Sequence, residues 1–260
     1  MSLAFRHALR RKPRLTVGQL SLRQKSHVVP KFNHPRFVAA AATFDEVPAL
    51  NGEPEVIVTG RANCGKSTLF NLVLETKKMM KISKKAGCTK SLNFYRVLVG
   101  SMHLVLVDSP GYGARGRREW GEMFNSYIST RKQLRRIYIC FNAKHLLNDV
   151  DLEMIAYLSK TLQERTQPCT LQPVITKVDT IPVQELAQNV SKMQEQIRSA
   201  APSCPPPILT SSWVSLRYGI ERVRENISEV CGVFQKRMCS CTTDMIDKFG
   251  CSCGAKKIAK

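Results

Sequence analysis

One stretch of eight residues, 60–67, constrains the fold of this 260-residue chain more than any other feature. Its sequence G-R-A-N-C-G-K-S fits the phosphate-binding pattern G-x-x-x-x-G-K-[ST], and it lies between the apolar run 56–58 and the helix-like run 68–72. Glycines let such a loop curl so that its N–H groups point at phosphate oxygens, beside the positive end of the following helix. We therefore expect a strand, a phosphate loop and a helix here, in which Lys66 bridges the β and γ phosphates and the Ser67 hydroxyl binds Mg²⁺.

After the first 44 residues, short β-branched runs alternate with amphipathic segments of helix length. This alternation is typical of an α/β fold, with a mostly parallel sheet and helices on both faces. We predict six strands, at residues 55–59, 94–99, 103–107, 137–141, 171–176 and 208–211. We predict helices at residues 66–75, 118–135, 149–165, 183–200 and 220–234. The chain is thus expected to hold a basic arm (1–44), one α/β domain (45–235) and a Cys-rich basic tail (236–260).

Two further motifs follow the phosphate loop, each directly after an apolar run. Asp108 begins D-S-P-G after an apolar run, so its carboxylate can hold Mg²⁺ through water and the Gly111 N–H can reach a γ phosphate. The second motif, T-K-V-D, contains Thr176, Lys177 and Asp179. The carboxylate can accept two hydrogen bonds from the guanine edge, while the lysine stem covers the purine ring. Adenine has a different donor pattern on that edge, so Asp179 favours GTP over ATP.

The remaining candidate contacts come from two loops. Thr89, in Gly87-Cys88-Thr89, could bring its hydroxyl to Mg²⁺ when a γ phosphate is present, which would make that loop a nucleotide switch; the alternative is a surface threonine in a basic loop. Ser211 and Ser212, after the last strand, could contact the base through backbone groups. We expect catalytic roles for Lys66, Thr89 and Gly111, and Mg²⁺ binding by Ser67, Thr89 and Asp108. The predicted GTP-binding set is Gly60, Arg61, Ala62, Asn63, Cys64, Gly65, Lys66, Ser67, Thr68, Asp108, Gly111, Thr176, Lys177, Asp179, Ser211 and Ser212.

The net charge favours a polyanionic partner. Forty Lys and Arg against twenty Asp and Glu give a formal charge of +20, which suits nucleic acid or an anionic membrane surface. No window approaches the roughly 18–20 consecutive apolar residues that a membrane span needs, so a membrane-spanning protein is excluded. Residues 1–44 hold nine basic residues and no acidic one, which leaves 31 basic and 20 acidic residues in 45–260. Residues 45–260 are therefore basic even when the N-terminal segment is not counted.

The first residues have the pattern of a mitochondrial transit peptide. On a helix, one side would hold Ala4, Phe5, Ala8 and Leu9, and the other Arg6, His7, Arg10 and Arg11. This segment lacks the apolar stretch of a secretory signal, so we expect the mitochondrial matrix as the location. The competing interpretation is a flexible basic arm that binds RNA and is never removed.

The C-terminal tail contains two C-x-C pairs nine residues apart, formed by Cys239, Cys241, Cys251 and Cys253. Four thiolates could close a tetrahedral Zn²⁺ site, although structural zinc pairs usually have wider spacing. That mismatch favours the alternative, a poorly ordered tail with incidental cysteines or with lysines that face rRNA.

The chain resembles the EngB-type (YihA/YsxC-like) GTPases of the Era-related TRAFAC group over residues 53–231. The resemblance goes beyond the nucleotide motifs, since family-like sequence also surrounds them. The matching stretches are Pro54-Glu55-Val56, residues 60–67, Gly87 and Thr89 with Asn93-Phe94-Tyr95, D-S-P-G-Y-G at 108–113, Trp120-Gly121, Tyr127, Asn142-Ala143-Lys144-His145, Asp151-Leu152-Glu153-Met154 and 176–179.

The resemblance implies a Ras-like P-loop GTPase domain that uses Mg²⁺ and acts as an assembly factor for the large ribosomal subunit. With the presequence, it suggests a mitochondrial homologue whose partners are large-subunit rRNA and assembly proteins, with no DNA expected. Tyr112 stands where a Ras-like switch places Gln, so slow intrinsic hydrolysis is expected. Asn63 matches the asparagine that helps hold K⁺ in related cation-dependent GTPases. The alternatives are a GTP-binding placeholder with little hydrolysis and a signalling GTPase, the latter disfavoured because the sequence ends without a C-a-a-X box.

Overall fold

A computed structural model of the chain describes residues 29–76, 79–80, 91–112, 118–212 and 217–233. Three predicted features lie outside these residues: the amphipathic N-terminal segment, the loop with Thr89, and the tail with Cys239, Cys241, Cys251 and Cys253. The predictions made for them stay predictions.

Within the described residues, seven strands form one sheet. They are β1 (Phe32–Ala41), β2 (Glu55–Gly60), β3 (Leu92–Val99), β4 (Met102–Asp108), β5 (Leu134–Asn142), β6 (Thr170–Thr176) and β7 (Ile208–Leu209). Their order across the sheet is β1-β3-β4-β2-β5-β6-β7. Four neighbouring pairs, from β4–β2 through β6–β7, are parallel, whereas β1–β3 and β3–β4 are antiparallel. The prediction of a mostly parallel sheet is confirmed.

Helices cover both faces of this sheet, as predicted. The α-helices among the described residues are α1 (Lys66–Val73), α2 (Arg118–Thr130), α3 (Asp149–Glu164), α4 (Val183–Ala200) and α5 (Ile220–Val230). Apolar residues of α2, α3 and α4 form one core cluster with the sheet, and those of α1 and α5 form a second cluster on the other face. Helix α2 ends five residues earlier than predicted, because a turn over residues 131–133 leads into β5. No helix of the described part is long and apolar enough to cross a membrane.

The predicted count of six strands is wrong, because β1 adds a seventh inside the segment predicted to be a basic arm. Its sequence does not indicate a strand. Only its first and last residues, Phe32 and Ala41, are buried, so no alternating pattern of apolar residues is needed. His34 adopts a left-handed φ of 50° next to Pro35, where the register with β3 shifts. A strand at the sheet edge tolerates such interruptions because one of its sides forms no ladder. The folded domain therefore begins by residue 32 and not at 45.

The central strand β2 shows why the nucleotide motifs meet at one edge. All six of its residues are buried, as expected for a parallel strand covered on both faces. Val56 and Val58 pack toward α1 and α5, whereas Ile57 packs toward α2, α3 and α4. Because β2, β4 and β6 run in the same direction, the loops that follow them emerge at the same edge of the sheet.

A buried ionic cluster secures the opposite end of β2. The Glu55 side chain is fully buried, and it accepts a hydrogen bond from the Tyr127 hydroxyl. Arg131 donates to both Glu55 oxygens, with N–O distances of 2.7 to 3.0 Å, and to the Pro48 carbonyl at 2.9 Å. Burial raises the pKa of Tyr127 well above its ordinary value, so its hydroxyl keeps the proton that it donates. This cluster ties the end of α2 to the start of β2.

Replacing Arg131 with Met is expected to lower the free energy of unfolding by about 3–5 kcal/mol, because the Glu55 carboxylate would remain buried without its cation. Urea unfolding of the nucleotide-free chain, followed by circular dichroism, measures this loss. The control is Arg198→Met, which removes the exposed partner of Glu195 and should change stability by less than about 0.5 kcal/mol. Equal losses in the two variants would contradict the role given to the buried pair.

Candidate nucleotide-binding site

The phosphate loop joins β2 to α1, as the sequence predicts, and two glycines shape it. Gly60 has a φ of 148°, and a Cβ on it would lie 2.6 Å from the Cys140 carbonyl oxygen. Gly65 has a φ of 111° at the start of α1, where a Cβ would lie 3.3 Å from Thr176 Oγ1. The left-handed backbone and the close approach of neighbouring strands both require glycine. The loop is thus pressed against the ends of β5 and β6.

Lys66 is buried over this loop. Its Nζ donates hydrogen bonds to the carbonyls of Gly60 and Arg61, both at 3.0 Å, and the residue is only 8% exposed. Two backbone carbonyls of the loop therefore hold the ammonium group against the loop. A phosphate oxygen could replace these carbonyls as its partner, which is the role that the sequence predicts for Lys66.

Ser67 and Asp108 lie together, as expected for Mg²⁺ ligands. Ser67 Oγ donates to Asp108 Oδ2 at 2.8 Å, and the other carboxylate oxygen, Oδ1, is buried without a hydrogen-bond partner. Burial raises the pKa of Asp108 from 3.8 to about 6, against the opposing effects of the Ser67 hydrogen bond and the Lys66 charge. A buried carboxylate with a free oxygen beside a hydroxyl suits a hard divalent cation, so these residues fit Mg²⁺.

Gly111 lies directly on the phosphate loop. A Cβ at this position would be 2.7 Å from the Ala62 nitrogen, so a side chain could not fit without moving the loop. The next residue, Tyr112, pairs with Arg61 in a short parallel bridge. The phosphate loop and the D-S-P-G motif, both of which we expect to contact the γ phosphate, are therefore neighbours.

The T-K-V-D motif contacts the same loop from β6. Thr176 Oγ1 lies within hydrogen-bond distance of the carbonyls of Cys64 and Phe141. Lys177 has a left-handed φ of 59°, and its Nζ donates to the Asn63 carbonyl at 2.8 Å. Asp179 Oδ1 is buried without a hydrogen-bond partner, which leaves it available to the N–H groups of a guanine edge. The predicted base-binding residues thus adjoin the phosphate loop.

A cavity lies between this motif, α1 and the segment after β7. Its lining includes the predicted residues Gly65, Thr68, Thr176, Lys177, Ser211 and Ser212, together with Leu69, Leu72, Thr210 and Ile220. Sequence reasoning missed Leu69, Leu72 and Ile220, because their spacing in α1 and α5 is that of ordinary core residues. Gly219 packs against the end of β7. A Cβ on it would lie 1.9 Å from the Leu209 carbonyl oxygen, so a larger residue could not fit there.

Cys64 contributes backbone groups to the loop, while its side chain points into the core. The thiol is buried in the cluster formed with α1 and α5, beside Cys140 of β5. The hydrogen bond from Cys140 lowers the pKa of Cys64 to about 7, aided by Lys66 and Lys177 and opposed by burial. The structure therefore places Cys64 at the loop as predicted, with its thiol on the side away from the phosphate position.

No group of three or more His, Cys, Asp or Glu side chains that could hold a metal occurs among the described residues. The predicted zinc ligands Cys239, Cys241, Cys251 and Cys253 and the switch residue Thr89 lie outside that part of the chain. K⁺ binding at Asn63 likewise stays a prediction; its left-handed φ of 62° is part of the loop geometry.

Comparison with known proteins gives one family. The sequence profile described as 50S ribosome-binding GTPase matches residues 55–177. The chain is 31% identical over 182 residues to the "Probable GTP-binding protein EngB" of Bradyrhizobium diazoefficiens, covering 68% of this chain and 80% of that protein. It is 32% identical to the EngB protein of Caulobacter vibrioides, covering 75% of this chain and 82% of the relative. The EngB protein of Anaplasma marginale is 34% identical, with coverage of 68% and 84%.

Solved structures agree on the fold. Era bound to MgGDPNP and a segment of 16S ribosomal RNA superposes with a TM-score of 0.54 at 23% identity. That match covers 68% of this chain and only 56% of the Era chain. Toc33 from Arabidopsis thaliana gives a TM-score of 0.56 at 12% identity, over 71% of this chain and 86% of Toc33. These likenesses confirm the predicted Ras-like P-loop fold.

Replacing Asp179 with Asn should lower the affinity for GTP by about a hundredfold or more, because an amide N–H₂ would then face a donor of the guanine edge. The variant should gain affinity for xanthosine triphosphate, whose carbonyl at that position can accept from the new amide. Equilibrium titration with fluorescent nucleotides measures both affinities. Asp149→Asn, an exposed change at the start of α3, is the control and should leave both unchanged. An Asp179→Asn variant that retains its GTP affinity would contradict the assignment.

Replacing Asp108 with Asn should stabilise the nucleotide-free chain at pH 7.5, by up to about 3 kcal/mol. The pKa of Asp108 is about 6 in the folded chain and ordinarily 3.8, so the fold favours the protonated carboxyl. Stability from this group is present below about pH 4 and is lost as the pH rises through 6. The gain from Asp108→Asn should therefore disappear below about pH 4.

Urea unfolding of this variant and of the wild type between pH 4 and pH 7.5 measures that difference. Asp45→Asn, at an exposed carboxylate, should give no comparable pH-dependent gain. A gain from Asp108→Asn that is the same at both ends of this pH range would contradict burial as its cause.

Proposed function

The chain belongs to the EngB family of GTP-binding proteins and is a GTPase, and from this premise we propose that it assists assembly of the large ribosomal subunit in the mitochondrial matrix. In this proposal, the bound nucleotide gates contacts with large-subunit rRNA and with neighbouring assembly proteins. The chain leaves the subunit when GTP has been hydrolysed.

The observation that carries the ribosomal part is the match to the profile described as 50S ribosome-binding GTPase, which spans the chain from β2 to Lys177. Charge supports it. Because the folded domain includes β1, the charge is counted from residue 29 onward. Residues 29–260 hold 33 basic and 20 acidic residues, which gives a formal charge of +13. Lys and Arg side chains bind RNA by neutralising phosphates and releasing counterions. Era, a structural neighbour, has been crystallised with 16S ribosomal RNA, which is a property of that protein.

The residues of the site explain how GTP would be held. Lys66 would exchange the Gly60 and Arg61 carbonyls for β and γ phosphate oxygens, and Gly111 would offer its N–H to the γ phosphate. Asp179 would accept the N–H groups of guanine. When bound at Ser67 and Asp108, Mg²⁺ would neutralise the charge that develops on the phosphates.

The residue after Gly111 supports slow intrinsic hydrolysis. Residues 112–116 contain no Gln to orient an attacking water. The Tyr112 hydroxyl cannot take that role in this arrangement, because it is buried and donates to Asp151 at 2.9 Å. We therefore include in the proposal an external stimulus, either K⁺ held with the help of Asn63 or contact with the ribosome. Zn²⁺ at the four tail cysteines is a separate proposal with no support from the described residues.

The mitochondrial location rests on the basic amphipathic pattern of the first residues. The position of β1 bears on where a removable leader could end, since Phe32 already belongs to the sheet. A removable leader should therefore end before Phe32, and not at residue 44.

A second candidate function is a structural placeholder that binds GTP but hardly turns it over, and that serves only to occupy an rRNA surface until later factors arrive. Tyr112 favours this alternative, because its burial and its bond to Asp151 leave the Gln role unfilled. The two candidates share the GTP site and the partner, and differ in whether hydrolysis is needed.

The decisive experiment purifies the tagged chain from mitochondria in the presence of a non-hydrolysable GTP analogue or of GDP and sequences the RNA that co-purifies. We expect large-subunit rRNA to be enriched with the analogue, because the GTP state is proposed to bind the subunit. Recovery of small-subunit rRNA alone, or of no rRNA, would contradict the assignment. Equal recovery with both nucleotides would contradict gating.

Complementation in cells that lack the protein separates the two candidates. Lys66→Ala should abolish large-subunit assembly if hydrolysis drives release, whereas Lys160→Ala, at an exposed position of α3, should have no effect. Normal assembly with Lys66→Ala would favour the placeholder.

A further inference from the structure

The carboxylate of Asp151 collects contacts from three parts of the chain. Its side chain is fully buried in the first turn of α3. Oδ1 accepts a hydrogen bond from the Tyr112 hydroxyl at 2.9 Å and faces Arg61 Nε at 3.1 Å. Oδ2 accepts from the Asn148 N–H at 3.1 Å. One carboxylate therefore joins the phosphate loop, the residue after Gly111 and the start of a helix.

Tyr112 is a dependable donor in this group. The residue is 6% exposed, and burial, followed by the nearby Asp151 charge, raises the pKa of its hydroxyl above the ordinary value of 10. The hydroxyl therefore keeps its proton at neutral pH. A neutral donor to a buried carboxylate is a strong hydrogen bond, since the acceptor is charged.

The same segment is bound to the phosphate loop through its backbone. Tyr112 forms a parallel bridge with Arg61, and a Cβ at Gly111 would lie 2.7 Å from the Ala62 nitrogen. Gly111 and Tyr112 are consecutive, so Gly111 cannot leave the loop without straining the bond between Tyr112 and Asp151. The Tyr112 side chain, which donates to Asp151, is thus one residue from the Gly111 N–H.

The start of α3 does not need this arrangement. Asn148 and Asp151 already satisfy each other's backbone N–H groups, at 3.1 Å in both directions, as a capping box. The contact with Tyr112 is additional to the helix cap. Because it involves the residue next to Gly111, its effect should appear at the nucleotide.

We propose that Tyr112 and Asp151 form a latch that holds the Gly111 N–H at the phosphate loop and thereby sets the preference for GTP over GDP. Both are positioning residues, because they act through Gly111. The γ phosphate is the group that distinguishes the two nucleotides at this point of the site, so a loosened latch weakens GTP binding and leaves GDP binding intact. The inference rests on the GTP site and is independent of the ribosomal partner, so rRNA recovery and nucleotide selectivity can fail separately.

The test measures the Kd of Tyr112→Phe for fluorescent GDP and for a fluorescent non-hydrolysable GTP analogue, both with Mg²⁺. We expect about tenfold weaker binding of the analogue, the size that corresponds to losing one hydrogen bond to a charged group. Binding of GDP should stay within about twofold, because GDP makes no contact that the latch controls. Asp151→Asn, which keeps the size of the side chain, should shift the ratio of the two Kd values in the same direction.

The matched control is Tyr138→Phe. Tyr138 is also a fully buried tyrosine, and its hydroxyl donates to Asn226 at 2.8 Å, away from the phosphate loop. Thermal unfolding should register the lost hydrogen bond in both Phe variants, while only Tyr112→Phe should change the ratio of the two Kd values. An unchanged ratio in Tyr112→Phe, an equal weakening of both nucleotides, or the same change of ratio in Tyr138→Phe would overturn the latch.

Discussion

The hydroxyl of Thr176 is the contact on which the geometry of the nucleotide site depends. It lies within hydrogen-bond distance of two carbonyls, that of Cys64 in the phosphate loop and that of Phe141 at the end of β5. Its single proton can be donated to one of them at a time, and the hydroxyl thereby links β6 both to the phosphate loop and to β5. Lys177 repeats the link through the Asn63 carbonyl. The phosphate-binding and base-binding halves therefore form one rigid unit, although they are more than a hundred residues apart in sequence.

The parts of this site that could be predicted from sequence are those whose chemistry is local. A phosphate loop needs glycines at fixed spacing, and a carboxylate at a strand end needs only an apolar run before it, so Lys66, Asp108 and Asp179 were found. Strand β1 was missed because its Pro-containing sequence does not show the alternation of a half-buried strand. The pattern of residues 118–135 predicts one helix, since nothing in it indicates the turn after Thr130.

Contacts that depend on topology could not be predicted. Tyr112 and Asp151 are 39 residues apart, and Glu55 and Arg131 are 76 apart. Each of these residues stands in an ordinary local pattern, and the pairs form only because the strand order brings β2 between β4 and β5. Burial then gives these pairs their importance, since a buried charge must have a partner. The sequence motifs thus identify the nucleotide, whereas the fold decides how residues beside it are restrained.

Strand β1 has a consequence for how much of the N-terminus the folded chain can lose. It covers the outer edge of β3 in an antiparallel ladder, from Phe32 opposite Val99 to Ala41 opposite Leu92. A protease that cut within this strand would leave the N–H and C=O groups of β3 open to pairing with another chain. Any trimming of the N-terminus that reached into β1 would therefore be expected to lower solubility, because it would expose the edge of β3.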